Sequence, residues 1–243
     1  MKIGPSTGWL FAVGVFDTGQ QERFIKASGA NIFEICLDGW ADKRTTALTR
    51  SKFGSETVGF RSIHLPPITD RVPDISHIQH VIDHQKPNVA VAHLEKVGAD
   101  YPIAVYEMLQ HGLRPLQVDL AIENMDKSRD SGIRVEDIVQ VAHSVDLKFV
   151  LDVQHAYEQD PSMKYANDLY EGLEDRLSHL HVSGESQESN HCLLHRSSNS
   201  DAILGFLETV LARKSVSLIL EGEYKTVDDL SAEISFLRKN LNQ

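Results

Sequence analysis

The stretch Leu147-Lys148-Phe149-Val150-Leu151-Asp152-Val153-Gln154-His155 decides how the chain is read. Phe149, Val150 and Leu151 form an apolar, β-rich run without polar alternation, the pattern of a strand buried on both faces. The run stops at Asp152, and His155 follows three positions later in the turn after the strand. A carboxylate at the C-terminal tip of a buried strand, then an imidazole, is a common beginning of a metal site. Other strands along the chain finish in the same way.

Working outward from this sixth strand, further strands are expected at Lys2–Gly4, Asn31–Leu37, Val58–Leu65, Asn88–His93, Leu116–Glu123, Leu177–Val182 and Val216–Glu221. Helices are expected at Gln20–Ala27, within Asp42–Phe53, and at Ile75–His84, Asp100–Gln110, Val135–His143, Tyr165–Leu173, Asp201–Leu211 and Val227–Leu237. A polar loop runs to Gly19, and Gly112 closes its helix as a C-cap. Eight strands alternating with helices every ~30 residues predict an α/β fold, a TIM (β/α)8 barrel, as a single domain over residues 1–243. A doubly wound open sheet is the alternative. Its nucleotide-binding form needs a G-x-G-x-x-G first turn, which Pro5-Ser6-Thr7-Gly8 does not supply.

The 243 residues are 41% hydrophobic, enough for a large core, and the formal net charge is −11. That charge argues against a nucleic-acid surface, which needs clustered Lys and Arg. Two cysteines, Cys36 and Cys192, imply no disulfide framework. No signal-peptide core and no run of membrane-spanning length is visible, so a cytoplasmic protein without membrane association is expected. Twelve histidines are the unusual feature of the composition.

In such a barrel the functional residues sit at the C-terminal strand ends. Those ends are His64, His93, Glu123, Asp152, His181 and Glu221 on six consecutive strands. Any one of them is more often a satisfied core histidine or a solvated carboxylate. Six on one rim are hard to attribute to chance, and three carboxylates together repel unless a cation lies between them. Imidazole and carboxylate donors without thiolates suit a divalent metal, Zn²⁺ or Mn²⁺, with Fe a further option. More than four candidate ligands imply more than one ion.

The motifs Ile63-His64-Leu65-Pro66, Val91-Ala92-His93, Ile122-Glu123-Asn124, Leu151-Asp152-Val153-Gln154-His155, His179-Leu180-His181-Val182-Ser183-Gly184 and Leu220-Glu221 together resemble the xylose isomerase-like barrels. That superfamily includes endonuclease IV-type enzymes and sugar isomerases and epimerases. The resemblance implies that Glu123, Asp152, His181 and Glu221 hold one catalytic metal. Its endonuclease IV branch further implies that His64 and His93 share Glu123 with a second metal, and that His155 serves a third. His191 is the implied partner there, but Asn190 stands where an aspartate is expected. His64-Leu65-Pro66-Pro67, His181-Val182-Ser183-Gly184 and Asn190-His191-Cys192-Leu193-Leu194 also resemble the cobamide-remodelling phosphodiesterases.

The expected catalytic residues are therefore Glu123, Glu221 and His155, within a ligand set of His64, His93, Glu123, Asp152, His155, His181, His191 and Glu221. The expected activity is hydrolysis of a phosphodiester in a small molecule by two metals, with a third in question. A one-metal sugar isomerase or epimerase is the alternative, and a non-catalytic metal-binding barrel is a third reading. The substrate is expected to be small and phosphorylated, with no nucleic acid or membrane partner, and the oligomeric state stays open. His77, His80 and His84 read as a solvated helix face, and His111 and His143 as helix-end residues. His179 and Glu34 read as support for the site or as packing. His195 and Arg196 read as a mobile loop with a surface arginine, and Glu223 lies beyond the strand end.

Overall fold

The computed structural model describes residues 1–15, 17–37, 60–69 and 74–241. Eight parallel strands, β1 Lys2–Pro5, β2 Phe33–Cys36, β3 Arg61–His64, β4 Val89–His93, β5 Asp119–Glu123, β6 Lys148–Asp152, β7 Leu177–Val182 and β8 Ser217–Leu220, form one sheet. Their order is β1-β8-β7-β6-β5-β4-β3-β2. Among the described residues the helices are α1 Gly8–Ala12, α2 Thr18–Ala27, α3 Ser76–Gln85, α4 Ile103–Leu113, α5 Val135–Val145, α6 Val153–Gln159, α7 Lys164–Leu173, α8 Ser200–Arg213 and α9 Val227–Leu241. This is the TIM barrel expected from the sequence. The helix expected within 42–53 lies outside the described residues. No described helix is long and apolar enough to cross a membrane.

The sheet closes where β1 meets β2. Ser6 bridges Glu34, the Thr7 amide donates to the Glu34 carbonyl at 2.9 Å, and the Cys36 amide donates to the Thr7 hydroxyl at 2.9 Å. Gly4 makes this approach possible, since a Cβ there would lie 1.6 Å from the Ile32 carbonyl oxygen.

Alternation along the strands separates two interiors. Residues facing the helices, such as Ala90, Ile122, Phe149 and Leu151, join the large core between sheet and helices. Each α-helix lays an apolar stripe on it, as α5 does with Ile138, Val141, Ala142 and Val145. Residues of the opposite parity, Val89, Val91, Ala121 and Val150, pack together inside the barrel under the Phe60 ring. The same inward parity, continued to the strand tips, arrives at His93, Glu123 and Asp152.

Several local expectations change. The loop before Gly19 contains α1. Gly112 lies within α4 and is no C-cap: a Cβ there would come within 2.0 Å of Ile75 Cδ1. The chain continues through a 3-10 turn, Arg114–Leu116, and stops at Gln117 in the left-handed region, φ 60°. His155 lies in the first turn of α6 rather than in a turn after β6.

Candidate metal centre

Asp152 ends β6 and caps α6, its Oδ1 accepting the His155 amide at 2.8 Å. Asn124, one residue past β5, clamps the same point from the next strand. Its Oδ1 accepts the Asp152 amide at 2.8 Å and its Nδ2 donates to the Asp152 carbonyl at 3.0 Å. The His155 Nδ1 donates to the Asn124 carbonyl at 3.0 Å, so Nε2 of a neutral His155 carries the lone pair. Asp152 Oδ2 is buried with no hydrogen-bond partner.

His181 Nδ1 lies 2.9 Å from Glu123 Oε1 and 3.6 Å from Glu221 Oε2. Glu123, Asp152, His181 and Glu221 offer ligand atoms all within 4.8 Å of one another. On its other side Glu123 Oε2 lies 3.1 Å from His64 Nε2 and 3.8 Å from His93 Nε2. His64, His93 and Glu123 form a second group within the same limit, the two imidazole rings meeting edge to face at 4.7 Å. His64 Nδ1 donates to the Leu65 carbonyl at 3.1 Å, which turns Nε2 inward.

A third group involves Glu34 and His179, which the sequence reads as support for the site or as packing. Glu34 on β2 meets His179 and His181 on β7 within the barrel, all three fully buried. Glu221 follows β8 by one residue and is partly exposed, while Glu223 is exposed and accepts from the Ser189 hydroxyl at 2.6 Å.

The electrostatics of the side chains by themselves are those of a site that wants cations. Burial raises the Glu123 carboxyl, but His181 and His64 outweigh it and hold it well below the usual range. Burial lowers His64, yet the Glu123 hydrogen bond and the charges of Glu123, Glu34 and Glu221 push it up to about 9. Glu221 is raised by burial and by its neighbours Glu123, Glu34 and Asp152, against the pull of His181.

A cavity of about 480 Å³ opens over this rim. Trp9, Leu37, Leu65, Pro66 and Met125 give it an apolar wall, and Arg129 stands at its lip. His191 reaches the cavity too, its ring 5.3 Å from that of His155 and 5.5 Å from that of Trp9. His155 and His191 are thus brought together but belong to no group of three candidate ligands among the described residues. Sequence reasoning missed Trp9, Arg129 and the clamp role of Asn124. Only Asn124 carried a signal, as the residue directly after a strand-end ligand.

Among the described side chains, the other histidines lie away from this rim. His80, His111 and His143 are exposed. His84 is half-buried with Nε2 enclosed, so that helix face is not wholly solvated. The segment holding His195 is pinned rather than loose: buried Glu233 accepts from the Leu194 amide at 2.6 Å and meets His195 Nδ1 at 2.5 Å. Arg196 pairs with Asp229 at 2.6 Å on the surface.

No family model and no curated protein matches the sequence. Solved structures do. A D-tagatose 3-epimerase-like protein superposes with a TM-score of 0.74 at 16% identity, covering 99% of this chain and 97% of its own. A D-psicose 3-epimerase, solved in the presence of D-fructose, gives 0.68 at 12% identity with 100% of each chain covered. Endonuclease IV from Thermus thermophilus gives 0.63 at 16% identity, covering 92% of this chain and 94% of its own. The TIM barrel fold is thus shared with sugar epimerases and with endonuclease IV. Within that fold the chain carries residue groups able to bind a metal at the C-terminal rim.

Proposed function

We propose that the chain is a metal-dependent enzyme for a small-molecule substrate, and that its reaction is hydrolysis of a phosphodiester. The observation carrying this reading is the position of Glu123, with Oε1 turned to His181 in one ligand group and Oε2 to His64 and His93 in another. A carboxylate shared between two ligand sets suits two metals side by side. The donors fit: Asp152 Oδ2 is a buried acceptor without a partner, and imidazole with carboxylate suits Zn²⁺, Mn²⁺ or Fe. His64, His93 and Glu123 would hold one ion, and Glu123, Asp152, His181 and Glu221 the other. Bound there, the metals supply positive charge to the phosphoryl oxygens and acidify water.

The chain's own groups do the rest. Asn124 fixes the His155 ring, leaving its Nε2 lone pair to accept a proton or a third ion. Arg129 brings a cation to the lip, partly offset by Glu95 at 3.2 Å. The wall around Trp9 excludes water and meets the organic part of the substrate.

A second reading, a one-metal ketose epimerase, is favoured by the sugar epimerases among the matching structures. It also has geometric support, because Glu123 and Glu221 flank His181 Nδ1 as two carboxylates able to move protons beside one metal. Likeness at this identity leaves the chemistry open, since one barrel serves many reactions. The shared carboxylate therefore leads.

The test counts metals and turnover together in the wild type, His64→Ala and His93→Ala. An aryl phosphodiester, a cobamide and a panel of ketoses serve as substrates. Hydrolysis predicts two or more metals in the wild type, one fewer in each variant, and diester turnover lower by orders of magnitude. One metal in all three proteins, with ketose turnover, installs the second reading instead.

A further inference from the structure

Glu34 is a full carboxylate buried inside the barrel, three strands away from β7 around the sheet. Its oxygens face His181 Nε2 at 3.3 and 3.4 Å, and Oε2 also lies 3.3 Å from His179 Nε2. Filling a barrel layer does not require this. An apolar side chain of similar volume would fill it without the desolvation of a charge, and buried ionic groups seldom improve stability over such a replacement. Elsewhere inside the barrel Val89, Val91, Ala121 and Val150 pack on one another.

The two nitrogens of His181 point to different places. Nδ1 faces Glu123 and Glu221, and Nε2 faces Glu34. A neutral imidazole carries one N–H, and a ligand nitrogen must present a lone pair. A carboxylate can only accept, so Glu34 selects the form of His181 with hydrogen on Nε2 and the lone pair on Nδ1. Hydrogen bonding to a carboxylate also makes a ligating imidazole more basic. His179 is the second contact on the same oxygen. Its Nδ1 in turn lies 3.0 Å from the Ser178 hydroxyl, while its Nε2 approaches Glu34 without a hydrogen bond of good geometry.

We propose that Glu34 is a positioning residue for the tetrad metal, fixing the tautomer and ring orientation of His181 from beneath the site, with His179 steadying its carboxylate. This rests on the reading of Glu123, Asp152, His181 and Glu221 as metal ligands. On this assignment Glu34 lies one imidazole away from the tetrad metal, so its effect would reach the chemistry through His181.

The experiment is a titration of chelator-treated protein with Zn²⁺ against a competing chromophoric chelator, for the wild type, Glu34→Gln and Glu34→Asp. Thermal melts of the metal-free proteins accompany it and report folding separately from affinity. Glu34→Gln should bind Zn²⁺ about 10–100-fold more weakly, and Glu34→Asp, which keeps the charge, should recover part of the loss. The visible absorption of the Co²⁺-loaded proteins should shift in Glu34→Gln and return toward wild type in Glu34→Asp. Wild-type affinity in Glu34→Gln would overturn the proposal and leave the metal site standing. Equal losses in Gln and Asp that track the melts would reduce Glu34 to packing, which also overturns it. A wild type that takes up no metal would bring down both this inference and the functional reading. If Glu34→Gln fails to fold, His179→Gln takes its place. It should weaken Zn²⁺ binding by a smaller factor, and wild-type affinity in both His179→Gln and Glu34→Asp counts as refutation.

Discussion

Asp152 divides its carboxylate between two tasks, one oxygen capping α6 and the other left bare among candidate ligands. Asn124 makes that division possible by holding the Asp152 amide and carbonyl. Asn124→Ala strands both buried backbone groups, and each lost partner costs about 1–3 kcal/mol. Denaturant melts of the metal-free protein should therefore show a loss of roughly 2–6 kcal/mol, with weaker metal binding besides. His64 supplies a second residue-scale prediction. Its pKa is raised to about 9, so at pH 7.5 the side chain carries a proton that an incoming metal must displace. Metal affinity should climb as pH rises toward 9 and level off above it. Calorimetry in two buffers of different ionisation enthalpy should record proton release on loading, and zero release at pH 7.5 would contradict the assignment of His64 as a ligand.

At the scale of elements, strands were the legible part. Apolar runs ending in His, Asp or Glu placed β4, β5, β6 and β7 and the parity of their tips, because burial on both faces leaves a strong compositional trace. Helix ends were less legible where the usual glycine is missing. Lys86, Gln117 and Asp146 take left-handed conformations at the ends of α3, the 3-10 turn and α5. The one glycine read as a stop, Gly112, is instead required by its contact with Ile75. Glu34 could not be ranked from sequence, since its partners lie far along the chain on β7. Two glycines give opposite predictions. Gly4→Ala drives a methyl into the Ile32 carbonyl, a backbone atom that cannot yield without opening the β1–β2 closure, and should cost several kcal/mol or prevent folding. Gly205, inside α8, has nothing within 4 Å of the added atom. Gly205→Ala should stabilise by about 0.5–1 kcal/mol in a thermal or urea melt.

The whole molecule adds charge and ligand to these local terms. Three carboxylates converge with Glu34 beneath them, so metal withdrawal should loosen the entire barrel. With free metal a thousandfold above Kd, binding contributes about 4 kcal/mol. For a chain of this size that corresponds to a Tm on the order of 8–16 °C higher than in chelator. Matching melts with and without chelator would remove the metal from the account of stability. The net charge of −11 sets a further expectation despite the likeness to endonuclease IV. Duplexes with and without an abasic site should both bind weakly at about 0.15 M salt; sub-micromolar affinity with preference for the lesion would return DNA to consideration.

The strand parity that separates an inward ring from an outer core has an evolutionary consequence. Selection can exchange members of the ring while the residues that pack the helices stay as they are. His64 and His93 occupy ring positions and are partly open to the cavity, so replacing both would leave a four-residue site on an intact scaffold. On the proposed reading, losing both would turn a two-metal site into a one-metal site without disturbing the packing that holds the barrel.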